Sequence, residues 1–198
     1  MKQTHYFLAV PIADEIKRKI ANWCEKITPR FPFRTWVHSD DYHLTLAFLG
    51  AVSAKQLQEV KGKMRAICNN YPPFSLTLKG IGTFGTPSSP RILWQGIERE
   101  ETLWSLRHDV YEACRTLGFS LDDRPFAPHI TLARKWKEEK PFRLADLPAA
   151  VEGHVSVREI VLYQTHLDRI PKYEAIASFS LREEKKLISG GTNRGAVD

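Results

Sequence analysis

The amino-acid sequence predicts one α+β domain made of two similar halves. Strand-like and helix-like apolar spacings alternate along its 198 residues, no stretch has the composition of a linker, and one five-residue strand motif occurs twice. The domain is expected over residues 1–183, followed by a flexible tail at 184–198 that ends in a Gly-rich segment.

Residues 4–10 alternate well enough for a first strand. Ile12, Ile16, Ile20, Trp23 and Ile27 then recur at helical spacing until Pro29 and Pro32 break the pattern. Residues 43–49 read as a strand closed by Gly50. Ser53 and Gln56 have capping-box spacing, and Leu57, Val60, Met64 and Ile67 supply the buried face of the helix behind them. Strands are expected near 74–81 and 91–97, with Gly82 to Pro90 as a turn rich in Gly, Pro and Ser. A third helix carries Leu103, Leu106, Val110, Ala113 and Leu117, and Gly118 stops it. A strand over His129–Ala133 follows, then a Pro-bounded segment near 141–148 and two long strands near 152–163 and 173–181.

Composition bounds the chemistry. Hydrophobic residues make up 42% and charged residues 26%, as in ordinary soluble domains. No apolar run approaches the roughly 20 residues needed to cross a bilayer. The short apolar stretch Phe7–Val10 runs directly into Pro11 and Asp14-Glu15, which suits a strand and not a signal peptide. Cys24, Cys68 and Cys114 are an odd set without a C-x-x-C pair, so they read as apolar helix residues in a reducing, cytoplasmic protein. The net charge of +6 favours a polyanionic partner, although Lys185, Lys186 and Arg194 of the tail contribute to it.

The repeat carries the chemistry. His43-Leu44-Thr45-Leu46-Ala47 and His129-Ile130-Thr131-Leu132-Ala133 stand 86 residues apart (129 minus 43). With 7 His and 12 Thr, shuffling gives about 0.4 His-x-Thr triplets, and the full five-residue pattern is expected on the order of 10⁻³ times. Side chains alternate along a strand, so His43 and Thr45 share one face while Leu44 and Leu46 take the other; His129 and Thr131 do the same. Two such strands side by side put two imidazoles and two hydroxyls on one surface.

That set suits cleavage of a phosphoester. Attack at phosphorus needs a base for the water and an acid for the leaving oxygen, and an imidazole with a reference pKa of about 6.5 can be either. Hydroxyl donors can hold the non-bridging oxygens, where charge accumulates. Arg134 offers a forked donor for the same phosphate. It is opposite in parity to His129, so it is expected beyond the regular strand, at a bend.

The paired motif with its flanks resembles the 2H phosphoesterase superfamily, and within it the RNA 2′,3′-cyclic phosphodiesterases once named 2′-5′ RNA ligases. The likeness includes Phe7-Leu8-Ala9-Val10-Pro11, Trp36-Val37, His43 to Gly50, Arg91-Ile92-Leu93-Trp94, Arg124 to Arg134, and Leu162-Tyr163. It implies a bilobal, pseudo-twofold fold in which two antiparallel sheets line a central cleft with helices outside. It implies hydrolysis of a 2′,3′-cyclic phosphate at an RNA 3′ end to a 2′-phosphomonoester, with no metal and no cofactor. It implies His43 as proton donor to the leaving 3′ oxygen and His129 as the base for water. The two motifs are nearly symmetric, so the residues themselves leave these roles open. Phe48 and Phe126 are candidates for stacking on the base or ribose, the alternative being ordinary core aromatics. His166 and Asp168, after Tyr163, depart from the small hydroxyl residues expected there and weaken any binding role for that loop.

Other readings have less support. No H-x-H, H-E-x-x-H or cysteine pair marks a metal site, no G-x-S-x-G marks a nucleophilic serine, and Gly80-Ile81-Gly82 and Gly190-Gly191 read as turns. His5, His38, His108, His154 and His166 lack matched partners and read as surface or loop residues. The same chemistry on a small cyclic nucleotide or a 2′-5′ oligonucleotide, and an RNA-binding module without turnover, remain the competing functions. Weak 2′-5′ ligation in reverse follows from reversibility. A monomer is expected, with RNA 3′ ends as partner, no membrane and no obligate protein partner.

Overall fold

In the computed structural model, which describes residues 4–182, the chain runs β1 (His5–Pro11), α1 (Asp14–Ile27), β2 (Phe33–Trp36), β3 (His43–Ala51), α2 (Ala54–Cys68), β4 (Phe74–Thr86), β5 (Ser89–Ile97), α3 (Glu101–Thr116), β6 (His129–Trp136), β7 (Gly153–Val157), β8 (Glu159–Thr165) and β9 (Tyr173–Ser180). Short 3₁₀ turns occupy Ser39–Asp41 and Leu144–Asp146. The tail expected at 184–198 lies outside the described residues.

Local chemistry accounts for the helices. The Ser53 hydroxyl accepts from the Gln56 backbone N–H while the Gln56 side chain accepts from the Ser53 N–H, which closes the predicted capping box. Gly118 takes φ +83° just past α3, a backbone conformation open to glycine. Each helix buries one stripe: Ile16, Ile20, Cys24 and Ile27 on α1, Val60, Met64 and Cys68 on α2, and Leu103, Leu106, Val110 and Cys114 on α3. The three cysteines are free and buried, as their place in those stripes demands.

The sheet order is β7-β4-β5-β6-β3-β1-β8-β9, with β2 added beside β6 and every pairing antiparallel. The order is palindromic: β6 matches β3, β5 matches β1, β4 matches β8 and β7 matches β9. The two predicted half-sheets meet along a narrow seam, the single residue pair Leu44–Ile130, and so form one continuous surface. Both seam residues are fully buried. The helices cross over between halves. α1 leaves β1 and lies beside β7, and α3 leaves β5 and packs under β3 next to α2.

Two predicted boundaries are corrected. Gly82 to Pro90 is not a long turn: β4 and β5 run through it as a tight hairpin. Gly82 makes room for Trp94, since a Cβ there would lie 2.2 Å from the indole. The expected strand at 152–163 is two strands, because β7 pairs with β4 at one sheet edge and β8 pairs with β1 in the other half. No Gly or Pro marks the break at Arg158.

Candidate active site

Strand pairing brings the two motifs together at the seam. One residue either side of the Leu44–Ile130 pair, the register sets His43 across from Thr131 and Thr45 across from His129. Directly opposed side chains have Cβ atoms about 5 Å apart, and diagonal ones about 7–8 Å. The two imidazoles occupy the diagonal, which leaves room for a tetrahedral phosphate between them. The core-facing Leu44, Leu46, Ile130 and Leu132 are all buried, as strand parity predicts.

Both imidazoles are held in the same way. His43 Nδ1 donates to the carbonyl of Asp41 at 2.7 Å, and His129 Nδ1 donates to the carbonyl of Ala127 at 2.7 Å. Each bond reaches two residues upstream, fixes the ring and leaves Nε2 free for chemistry. His43 Nε2 lies 3.1 Å from Thr45 Oγ1, so the threonine hydroxyl donates to the neutral ring. Aromatic rings enclose both sides. Phe7 and Tyr173 lie 4.7 and 5.1 Å from His43, and Phe84 and Trp94 lie 4.9 and 6.1 Å from His129.

This enclosure sets the protonation. Burial pushes the His43 imidazole down to about 4, opposed by the Asp41 carbonyl and reinforced by the charges of Arg134 and His129. Burial also lowers His129, opposed by the Ala127 carbonyl and reinforced by Arg134. Both rings are therefore neutral near pH 7.

Arg134 acts on both histidines and lies beside the Tyr173 hydroxyl, so it belongs to the site. Its expected place beyond the strand is corrected: it lies inside β6. A β-bulge at Leu132, where Leu93 pairs with Ala133 but Trp94 pairs with Thr131, resets the alternation and returns Arg134 to the histidine face. β3 carries the same bulge at Leu46, since Leu8 pairs with Ala47 but Ala9 pairs with Thr45. Phe48 is thus the counterpart of Arg134. It pairs with Phe7 on the histidine face, remains 54% exposed and meets His5 edge-on at 5.9 Å.

Phe126 is not brought to His129. Its ring packs against Trp104 of α3 at 5.3 Å and under the Arg107 guanidinium at 5.1 Å, where the flank of α3 offers it apolar cover. The sequence reasoning missed Asp41 as an organiser. Its buried carboxylate accepts the backbone N–H of Lys172 at 2.9 and 3.0 Å and of Tyr173 at 3.0 Å, pinning the 166–172 loop beside His43. Within that loop His166 and Arg169 pair with Glu174, each at 2.8 Å. Among the described residues no three His, Cys, Asp or Glu side chains converge as metal ligands would. No described helix is long and apolar enough to cross a membrane.

The comparisons with known proteins agree with this geometry. A family model described as LigT like Phosphoesterase matches residues 10–94 and again 96–173, so each match holds one His-x-Thr motif. A Geobacillus stearothermophilus protein named RNA 2′,3′-cyclic phosphodiesterase is 53% identical over 184 residues, covering 91% of this chain. The chain spans 58% of that relative's length. A Bacillus subtilis protein of the same name is 39% identical over 182 residues, covering 89% of this chain and 96% of its own length. The crystal structure of Escherichia coli LigT complexed with 3′-AMP superposes with a TM-score of 0.75 at 28% identity, over 92% of this chain and 100% of that one. Matched twice by one family model and aligned over most of its length with these relatives, the chain belongs to the LigT-like phosphoesterases.

Proposed function

We propose that this protein hydrolyses 2′,3′-cyclic phosphate ends of RNA to 2′-phosphomonoesters by general acid–base catalysis without a metal. The observation that carries the proposal is the pair His43 and His129, diagonal across the seam, each with Nδ1 tied to a backbone carbonyl so that Nε2 is the nitrogen left for proton transfer. The relatives' names supply the substrate class.

In the proposed reaction His129 Nε2 takes a proton from water as its oxygen bonds to phosphorus. The P–O3′ bond breaks, and His43 Nε2 delivers a proton to the 3′ oxygen, leaving the 2′-phosphate and a free 3′ hydroxyl. Thr45, Thr131 and Arg134 hold the non-bridging oxygens, and Phe48 offers a stacking face to the terminal base. The role of each histidine follows the family resemblance. Burial keeps both rings neutral near pH 7, so the anionic substrate must draw in the one proton the pair needs. Both halves of the catalytic set come from one chain, which supports a monomer, and the three buried thiols support a reducing, cytoplasmic setting.

The test is turnover of an oligoribonucleotide ending in a 2′,3′-cyclic phosphate, in EDTA, with the product identified. Substitution of either histidine by alanine is expected to cost about 10²–10⁴-fold in kcat. A 3′-bridging sulfur, whose thiolate leaves without an acid, should restore His43→Ala but not His129→Ala. Loss of activity in the chelator would refute the metal-free reading, and rescue of His129→Ala instead would reverse the roles.

A further inference from the structure

A second hollow adjoins the catalytic face. It measures about 190 Å³ and is lined by Thr35, Val37, His38, Arg134, Ile170 and Lys172 among others, with Asp41 and Tyr173 at its junction with His43. None of His43, Thr45, His129 and Thr131 lines it. The hollow lies on the Asp41 side of His43, where Nδ1 points, while the reacting Nε2 points toward Thr45. Arg134 and Tyr173 line the hollow and also neighbour His43.

Its charge is unbalanced toward cations. Arg134 and Lys172 form no salt bridge among the described residues. Asp41 is the single carboxylate in the lining, and its two oxygens are occupied by the backbone N–H groups of Lys172 and Tyr173. His38 is turned to the exposed Asp40, with Nδ1 3.7 Å from the carboxylate. At about 190 Å³ the hollow has room for a phosphodiester group. Ile170 in its lining is 70% exposed, and Leu167 on the same loop is 66% exposed.

We propose that this hollow is a second phosphate subsite, which takes the internucleotide phosphate one step upstream of the cyclic end. This rests on the function proposed above and deepens it: the substrate is an oligonucleotide, and chain length is read by Lys172 and Arg134 together. Lys172 serves here as a specificity residue. The Asp41 carboxylate anchors its backbone, which leaves its ammonium group free for the phosphate. The exposed side chains of Leu167 and Ile170 offer cover to the upstream base.

The experiment compares a 2′,3′-cyclic mononucleotide with a dinucleotide ending in the same cyclic phosphate. The expected kcat/KM favours the dinucleotide by about tenfold or more, the scale of one charge-assisted contact. Lys172→Ala should raise KM for the dinucleotide about tenfold, leave its kcat unchanged and leave the mononucleotide within about twofold. Lys172→Arg should recover most of the loss. The logarithmic salt dependence of dinucleotide KM should flatten by about 0.7 in Lys172→Ala, the loss of one phosphate contact on a single strand. Equal kcat/KM for the two substrates, or an equal loss for both in Lys172→Ala, overturns the subsite while leaving the proposed activity standing. Turnover of neither substrate overturns the activity and the subsite with it.

Discussion

The pH dependence of kcat/KM tests how the site handles its one proton. The reaction needs one imidazole charged and the other neutral, and the free-enzyme profile reports the pair's titration. Burial sends His43 down to about 4 and His129 below its reference value of 6.5. The bell should therefore peak between about 4 and 6.5. Above the His129 value the charged form falls tenfold per pH unit, so kcat/KM at about pH 7.5 should be at least about tenfold below its maximum. In the bound complex a phosphate anion about 4 Å from an imidazolium at an effective dielectric of about 20 contributes roughly 4 kcal/mol, or about three pKa units. The alkaline limb of kcat should then lie well above that of kcat/KM. Arg134→Gln removes a cation that disfavours protonation of both rings, so its alkaline limb should move up, most visibly at low ionic strength because this side chain is exposed. Initial rates on a dinucleotide cyclic phosphate at constant ionic strength give all three profiles. A kcat/KM flat from pH 6 to 8, or a limb that moves down in Arg134→Gln, would refute the reasoning.

Two further perturbations probe the supports of the site. Asp41→Ala strands two backbone N–H groups in the 166–172 loop, so chemical denaturation should show a loss of about 2–4 kcal/mol with a fall in kcat, whereas Asp41→Asn keeps an acceptor and should lose less. Gly82→Ala forces a methyl into the Trp94 indole beside His129 and should cost about 1–3 kcal/mol together with activity. Gly62→Ala, in the middle of α2 with nothing within 4 Å of the new Cβ, should stabilise by about 0.5–1 kcal/mol and leave kcat unchanged.

The parts of the molecule legible in the sequence are those with local periodicity. The helix stripes, the capping box at Ser53, and the shared face of His43 with Thr45 and of His129 with Thr131 all follow from spacing along one segment. The rest depends on which strand lies beside which. Phe7, Tyr173, Phe84 and Trp94 collar the histidines from neighbouring strands, and no one-dimensional pattern announces that company. Asp41 looked like one acid among several because its partners are backbone N–H groups 131 and 132 residues away. Phe84 hid in a stretch whose glycines imitate a turn while serving the packing of an indole. Phe126 misled in the opposite way: it is close to His129 in sequence but its ring faces a helix.

The twin bulges at Leu46 and Leu132 make residue count a functional quantity in its own right. Were the strand regular over the same five-residue step from His129, the guanidinium of Arg134 would turn toward Leu132 and Ile130, into an interior that offers no counter-charge. A one-residue deletion between Thr131 and Arg134 shortens that step to four, so a regular strand without the bulge would hold the guanidinium on the histidine face. At the matching step in β3 the bulge likewise keeps the phenyl ring of Phe48 on the histidine face. Substitutions that keep the length can vary the chemistry at these two positions, as arginine on one side and phenylalanine on the other already do. What the two halves share is the bulge, whose position decides which face the fifth residue takes whatever its side chain.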